Sequence, residues 1–202
     1  VGLTSQEKPL IIKRPFRSPH HTVTMASLIG GGKTPKPGEI SLAHLGILFL
    51  DELTEFKKDT LELLRGPLED KNVRISRLNA SITYPCNFMF ISSMNPCPCG
   101  YYGSSEKQCT CNQDQIRKYL SKISGPLLDR IDIHIEVSNI KYNDLEKKEK
   151  GEKSVAIKQR VNKARKIQEL RYKNENMYSN AELTPNLIEK YCKINKTSKL
   201  LL

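Results

Sequence analysis

The first two thirds of the chain alternate short apolar runs with charged, turn-rich stretches. Gly46-Ile47-Leu48-Phe49-Leu50, Asn87-Phe88-Met89-Phe90-Ile91 and Ile131-Asp132-Ile133-His134-Ile135 have the length and the β-branched or aromatic content of strands. The first two are apolar almost without interruption, which predicts strands buried on both faces. Between them Leu61, Leu64 and Leu68 recur at helical spacing until Gly66-Pro67, where a proline without an N–H bends or breaks the pattern. Residues 116–123 form a second short helical segment. Strands alternating with helices define an α/β class with a mainly parallel sheet. Asn72-Val73-Arg74-Ile75-Ser76 and Ala80-Ser81-Ile82-Thr83 alternate polar and apolar positions around Arg77-Leu78-Asn79, the signature of a β-hairpin inserted into that pattern.

Near Lys141 the pattern changes to charge-rich sequence, so residues 1–140 read as an α/β unit and 141–202 as a helical one. Beyond Gly151, the positions Val155, Val161, Ala164 and Ile167 fit an amphipathic helix, and Thr184-Pro185 is a cap followed by a first-turn proline. No repeat is present. No apolar run approaches the roughly 20 residues that cross a bilayer, and Val1 opens no leader-like sequence, so a cytoplasmic protein with no membrane partner is expected.

Charge sharpens the choice of partner. A formal net charge of +11 favours a polyanion such as DNA, although the Lys-rich stretch from Lys141 to Lys173 also fits a solvated helix face. Six cysteines in such a chain point to thiols or metal rather than to disulfides.

Several residues can carry chemistry. The run Ile47 to Leu50 delivers Asp51 and Glu52 at a strand's C-terminal end, the end that faces the ligand crevice of an open α/β sheet. There one carboxylate can hold Mg²⁺ on a nucleoside triphosphate and the other can polarise the attacking water. The competing reading has Glu52 as a helix cap. Asn95 ends the next apolar run, where its amide can meet a γ-phosphate or merely terminate the strand before Pro96. Arg130 precedes the third run and can reach a neighbour's nucleotide or pair with Asp129 or Asp132. Gly30-Gly31-Gly32-Lys33-Thr34 lacks the first glycine of the pattern G-x-x-x-x-G-K-S/T and is followed by Pro35 and Pro37, so it reads as a flexible excursion and not as a phosphate-cradling loop. Cys97, Cys99, Cys109 and Cys111 form two C-x-C pairs that can give four thiolates to one Zn²⁺ or remain reduced, partly buried thiols. His20 and His21 are adjacent, a poor chelating pair, and local hydrogen bonding is the expected role.

In order along the chain, Arg14 to Thr22, Gly38 to Gly46, Leu48 to Glu52, Asn95 to Gly100 and Ser124 to Arg130 closely resemble the magnesium-chelatase-like AAA+ proteins, and within them a competence-associated branch. The resemblance runs from about Arg14 to Val137 and continues more weakly beyond. It implies a partial AAA+ core with a mainly parallel sheet, a β-hairpin insertion and an incomplete C-terminal helical lid. It further implies ATP and Mg²⁺ as cofactors, Asp51 and Glu52 as the Walker B pair, Asn95 as sensor 1 and Arg130 as an arginine finger acting in trans. The hairpin bearing Lys71, Arg74 and Arg77 would face a central pore, as would the Gly30 to Gly38 segment. The implied whole is a self-assembling ring that hydrolyses ATP and moves on DNA. The alternatives are a motor subunit of a metal-insertion complex and a non-catalytic zinc-binding nucleic-acid module. The family's Walker A loop is expected upstream of Val1, which would leave this chain inactive alone.

Overall fold

The computed structural model describes residues 10–32, 34–77, 80–104, 107–137, 151–175 and 177–200, apart from the side chains at 77, 80 and 196. The chain divides into two compact units, Val1–Asn139 and Ile140–Leu202.

The strands of the first unit are β1 (Phe16–Arg17), β2 (Gly30–Gly31), β3 (Lys36–Pro37), β4 (Ile47–Leu50), β5 (Asn72–Arg77), β6 (Ala80–Pro85) and β7 (Met89–Ser92). A three-stranded sheet has the order β1-β4-β7, parallel throughout, with Phe16 opposite Ile47 and Leu50 opposite Ser92. β1 is too short to show in the sequence pattern. It joins the sheet through the Ile47 N–H, which donates to the Pro15 carbonyl at 2.9 Å. Gly46 permits that approach, since a Cβ there would lie 2.0 Å from the Pro15 oxygen.

β4 shows its two faces unequally. Leu48 and Leu50 are fully buried in one cluster with Leu28, Ile40, Phe56, Leu61, Leu64, Val73, Ile75 and Leu127, each such side chain contributing about 1.5–3 kcal/mol of burial. On the other face Phe16 stacks on Phe49 at 6.1 Å, while Phe16 and Met89 are each 62% exposed and Ile91 is 40% exposed. The expectation of burial on both faces is therefore corrected. The helical residues Leu28, Ile40, Leu61 and Leu127 join the cluster with Leu48 and Leu50, so an apolar run yields a strand buried on one face and half-buried on the other.

The helices are α1 (Met25–Ile29), α2 (Glu39–Leu42), α3 (Lys58–Glu62), α4 (Arg65–Asp70), α5 (Gln113–Leu120) and α6 (Gly125–Leu128). The leucine repeat is broken ahead of Gly66-Pro67, leaving Pro67 in the first turn of α4, where no N–H is required. β5 and β6 pair antiparallel from Asn72 opposite Pro85 to Arg77 opposite Ala80, so Arg77 belongs to the strand and the connection is Leu78-Asn79, outside the described residues. β2 and β3 also pair antiparallel, which makes the glycine-rich stretch a small hairpin and not a flexible excursion. Lys33 lies outside the described residues.

Residues 131–137 are not a strand. Ile133 and Ile135 are exposed, and the His134 ring meets the Ile131 carbonyl at 3.0 Å. Alternation supplies a strand-like pattern there, but a strand exists only where its N–H and C=O groups pair with a neighbour, and residues 131–137 pair with no described strand.

In the second unit α7 (Ser154–Arg171) runs for 18 residues with none buried. Its apolar positions are exposed, which corrects the amphipathic reading: the step from Val155 to Val161 is too long to continue one stripe. Order comes instead from Tyr172, buried, whose ring meets Tyr191 edge-on at 5.1 Å and whose hydroxyl donates to Asn180 at 2.8 Å. α8 (Pro185–Tyr191) starts with Thr184 as cap and Pro185 in its first turn, as the sequence predicts, and α9 (Lys196–Lys199) follows. The boundary near Lys141 falls within 138–150, outside the described residues.

Candidate nucleotide site and cysteine centre

Because β1, β4 and β7 are parallel, their C-terminal ends lie along one edge of the sheet, and each delivers polar residues there. β4 ends in Asp51 and Glu52, β7 in Ser93 and Asn95, and β1 in Ser18 to His21. The pairing continues past the strands, since the Ser93 N–H donates to the Leu50 carbonyl at 3.1 Å and the Leu53 N–H to the Ser93 carbonyl at 2.8 Å. Register then sets Ser93 beside Asp51. The Ser93 hydroxyl donates to Asp51 Oδ1, the oxygen that also receives the Glu52 N–H at 3.1 Å. Its partner oxygen has no protein donor among the described residues, which suits a carboxylate that holds a hard cation through one oxygen.

Glu52 is an exception to ordinary backbone geometry. It sits in the left-handed region at φ 52°, ψ 52°, immediately before a short turn of 3₁₀-helix at Leu53–Glu55. For a residue with a Cβ this costs about 1–2 kcal/mol, and such outliers gather at functional sites. The turn lifts the exposed side chain toward the loop after β1, where His21 Nδ1 lies 3.9 Å from Glu52 Oε2. Ser18, Pro19, His20, His21, Asp51 and Glu52 line an open cleft. Arg17 fixes the start of this loop, forking onto Glu39 with two bonds of 2.6 Å that hold the guanidinium pKa above its ordinary value.

His20 bonds locally, 2.9 Å from the Thr22 hydroxyl, as adjacency suggested. His21 does more, its ring tilted against that of His20 with centroids 4.0 Å apart and its Nδ1 reaching Glu52, a contact that sequence reasoning missed. Ser93 was missed as well. Both lie at ends of strands adjacent to β4, and only the strand order could have marked them.

Asn95 is exposed two residues beyond Ser93, at the same sheet edge. Arg130 lies elsewhere. At the end of α6 its guanidinium donates to Glu69 at 2.7 Å, so its hydrogen-bonded partner is Glu69 and not Asp129 or Asp132. On the hairpin, Arg74 donates to the Ser81 hydroxyl at 3.0 Å, and Lys71 turns back onto the Leu68 carbonyl at 2.7 Å. The Arg77 side chain lies outside the described residues.

The four cysteines form a second centre. Sγ of Cys97 lies 3.4 Å from that of Cys99 and 3.7 Å from that of Cys109, Cys99 and Cys109 are 3.5 Å apart, and all four sulfurs, Cys111 included, fall within 4.8 Å of one another. A tetrahedral ion about 2.3 Å from each sulfur requires edges of about 3.8 Å. Two glycines in the left-handed region, Gly100 (φ 81°) and Gly103 (φ 79°), turn the loop back on itself. The thiols are free, with Cys97 buried. N–H groups of Tyr101 and Thr110 push Cys99 down to about 5. Cys109, despite the Cys111 N–H, is pushed up to about 12 by burial and by the neighbouring sulfurs. Four thiolates this close would need a counter-charge, of the kind a dication provides.

The chain belongs to the magnesium chelatase subunit ChlI family: the family's model matches residues 1–145, and that of its C-terminal part matches residues 151–202. It is 46% identical over 181 residues to the protein YifB of Salmonella typhimurium, covering 89% of this chain and 35% of that one. It is 45% identical over 184 residues to the competence protein ComM of Haemophilus influenzae, covering 91% and 35%. The chain thus spans about a third of the length of these relatives. An archaeal Lon protease of Methanocaldococcus jannaschii shares 31% identity over 113 residues, 56% of this chain and 15% of its own. A solved structure of NtrX from Brucella abortus in complex with ADP overlays with a TM-score of 0.40 at 21% identity, covering 59% and 24%, too slight a likeness to bear on function. Among the described residues no helix is long and apolar enough to cross a membrane.

Proposed function

We propose that this chain is the magnesium-holding and γ-phosphate-sensing part of an AAA+ ring motor that hydrolyses ATP and acts on DNA in the cytoplasm. The observation that carries the reading is the delivery of Asp51 and Glu52 by β4, and of Ser93 and Asn95 by β7, to one edge of a parallel sheet. Residues 1–140 would be the partial ATPase core and 141–202 part of the helical lid.

Mg²⁺ would neutralise charge on the transferred phosphoryl group, held by the open oxygen of Asp51. Glu52 would take up the proton of the attacking water from its raised position, and Asn95 would donate to the γ-phosphate. Arg130, exposed at the end of α6, would serve a neighbouring copy. Gly30 and Gly31 pair with Lys36 and Pro37 in a β-hairpin, which supports a phosphate-cradling loop supplied from elsewhere in a longer protein, and this chain alone is not expected to turn over ATP.

DNA as the track is supported by the net charge of +11 and by the basic hairpin, as well as by likeness to a protein named for competence. Contacts by Lys71, Arg74 and Arg77 would be to phosphate, since a motor must pass any sequence. Arg74 is bonded to Ser81 and not to Glu69 or Asp70, which favours a working role over surface ion pairing. The second reading, a motor of a metal-insertion complex, draws on the family's name. The four cysteines would hold one Zn²⁺.

The test uses the full-length protein. Glu52→Gln should keep nucleotide binding and lower turnover by about 10²–10⁴-fold; undiminished hydrolysis would remove Glu52 from the mechanism. Replacing Arg74 and Arg77 together by Ala should weaken DNA binding alike across sequences and flatten the salt slope by about one to two units. An unchanged slope would favour the metal-insertion reading.

A further inference from the structure

Arg130 does not stand free in this chain, and the residue that holds it leads directly into the hairpin. Glu69 lies in the last turn of α4, and only Asp70 and Lys71 separate it from the start of β5. That short link is closed on both sides. The Lys71 N–H donates to the Pro67 carbonyl at 3.2 Å, and the Lys71 carbonyl accepts the N–H of Cys86, at the foot of β6, at 2.9 Å. A displacement at the foot of the hairpin must therefore move the last turn of α4.

At its other end, α6 is tied to the same pair of helices. Ser124, its N-cap, and Arg65 of α4 together hold the Glu62 carboxyl of α3 below its ordinary range, and Arg65 donates to Glu62 at 3.2 Å. Leu127 of α6 is fully buried in the cluster that holds Leu61, Leu64, Val73 and Ile75. Helices, hairpin base and Arg130 thus form one mechanical block, with Glu69 as the contact between its charged ends. The guanidinium holds the Glu69 carboxyl below its ordinary range, and Glu69 holds Arg130 above its own.

We propose that Glu69 is a positioning residue that couples Arg130 to the base of the β5–β6 hairpin, so that engagement of the hairpin by nucleic acid changes where the guanidinium points. The proposal rests on the reading of Arg130 as a trans-acting arginine. The pair is half-exposed, with side-chain accessibilities of 38% for Arg130 and 61% for Glu69. Exposed ion pairs contribute little to stability. A purely structural role therefore predicts that neutralising Glu69 changes almost nothing, and that makes the coupling separable from folding.

The experiment measures ATP turnover by the full-length protein with and without duplex DNA, for the wild type and for Arg130→Ala, Glu69→Gln and Glu69→Asp. Arg130→Ala should abolish turnover while nucleotide binding persists; full turnover would sink the arginine-finger reading and this inference with it. Given that loss, Glu69→Gln should reduce the ratio of DNA-stimulated to basal kcat by about fivefold or more. The KM for ATP should not move, and Glu69→Asp should restore the ratio. In the same variants, carboxyl titration by NMR should show Glu69 returning to the ordinary range in Arg130→Ala. A Glu69→Gln protein with wild-type stimulation, or with equal losses in the presence and absence of DNA, would overturn the coupling while leaving the motor reading intact.

Discussion

The carboxylates after β4 and the thiols after β7 are two polar centres separated by only a few residues of β7 loop, yet they are held by opposite means. Asp51 is placed by strand register: Leu50 faces Ser92, so the next residue on each strand meets its neighbour, and the Ser93 hydroxyl lands on the Asp51 carboxylate. Two fully buried leucines, Leu48 and Leu50, anchor that register. The cysteines have no such frame. Cys99, Cys109 and Cys111 are only half-buried, in a loop of irregular backbone turned by Gly100 and Gly103. A site built on strands exists before its ligand arrives, whereas a site built on turns relies on the ligand for much of its cohesion.

The largest effect that would sharpen this contrast is metal removal. Protein purified without chelator should carry about one zinc per chain. Cys109→Ser should lower zinc affinity by more than the roughly 10–100-fold that loss of an outer-shell partner costs. Hydrogen exchange should then rise across residues 97–111 and stay unchanged in β4 and β7. Protein free of metal, with the loop still protected, would break the comparison on the thiol side.

A smaller effect is expected at the sheet edge. Ser93→Ala removes the hydroxyl that aims Asp51 but leaves the strands paired. In the full-length protein with ATP, Mn²⁺ affinity read by EPR should fall by about 10–100-fold with the fold intact. Wild-type affinity would mean that Asp51 needs no such support.

The smallest effects separate strain from support. Glu52→Gly should raise stability by about 1 kcal/mol in denaturant titration, because glycine accepts φ 52° freely. Gly100→Ala should lower it by a similar amount, about 1 kcal/mol, and through conformation alone, because a Cβ there meets nothing within 4 Å. A Glu52→Gly protein no more stable than wild type would remove the case for strain at the carboxylate.

Much of this was legible in local pattern. The apolar run before Asp51, the leucine spacing broken near Gly66-Pro67, the alternation of the hairpin and the cap at Thr184-Pro185 all encode their elements within a few residues, since helix and strand periods and missing N–H groups act at that range. The same local reading failed at residues 131–135, which pair with no described strand despite their alternation, and at α7, where helical propensity was present without a continuous apolar stripe.

By itself, then, the sequence determined the longer strands of the sheet and hairpin, where the carboxylates leave β4 and which residues are candidate metal ligands, because those properties depend on neighbours along the chain. Only the tertiary structure decided that β1 joins the sheet, that Ser93 and His21 meet the Asp51-Glu52 pair, that Leu48 and Leu50 form the more deeply buried face of β4 and that Arg130 answers to Glu69. Each of these depends on register or on closure between residues 31 to 61 positions apart, or on which side of a sheet the helices fall. Such distances are set by packing of the shared core, and no local period records them.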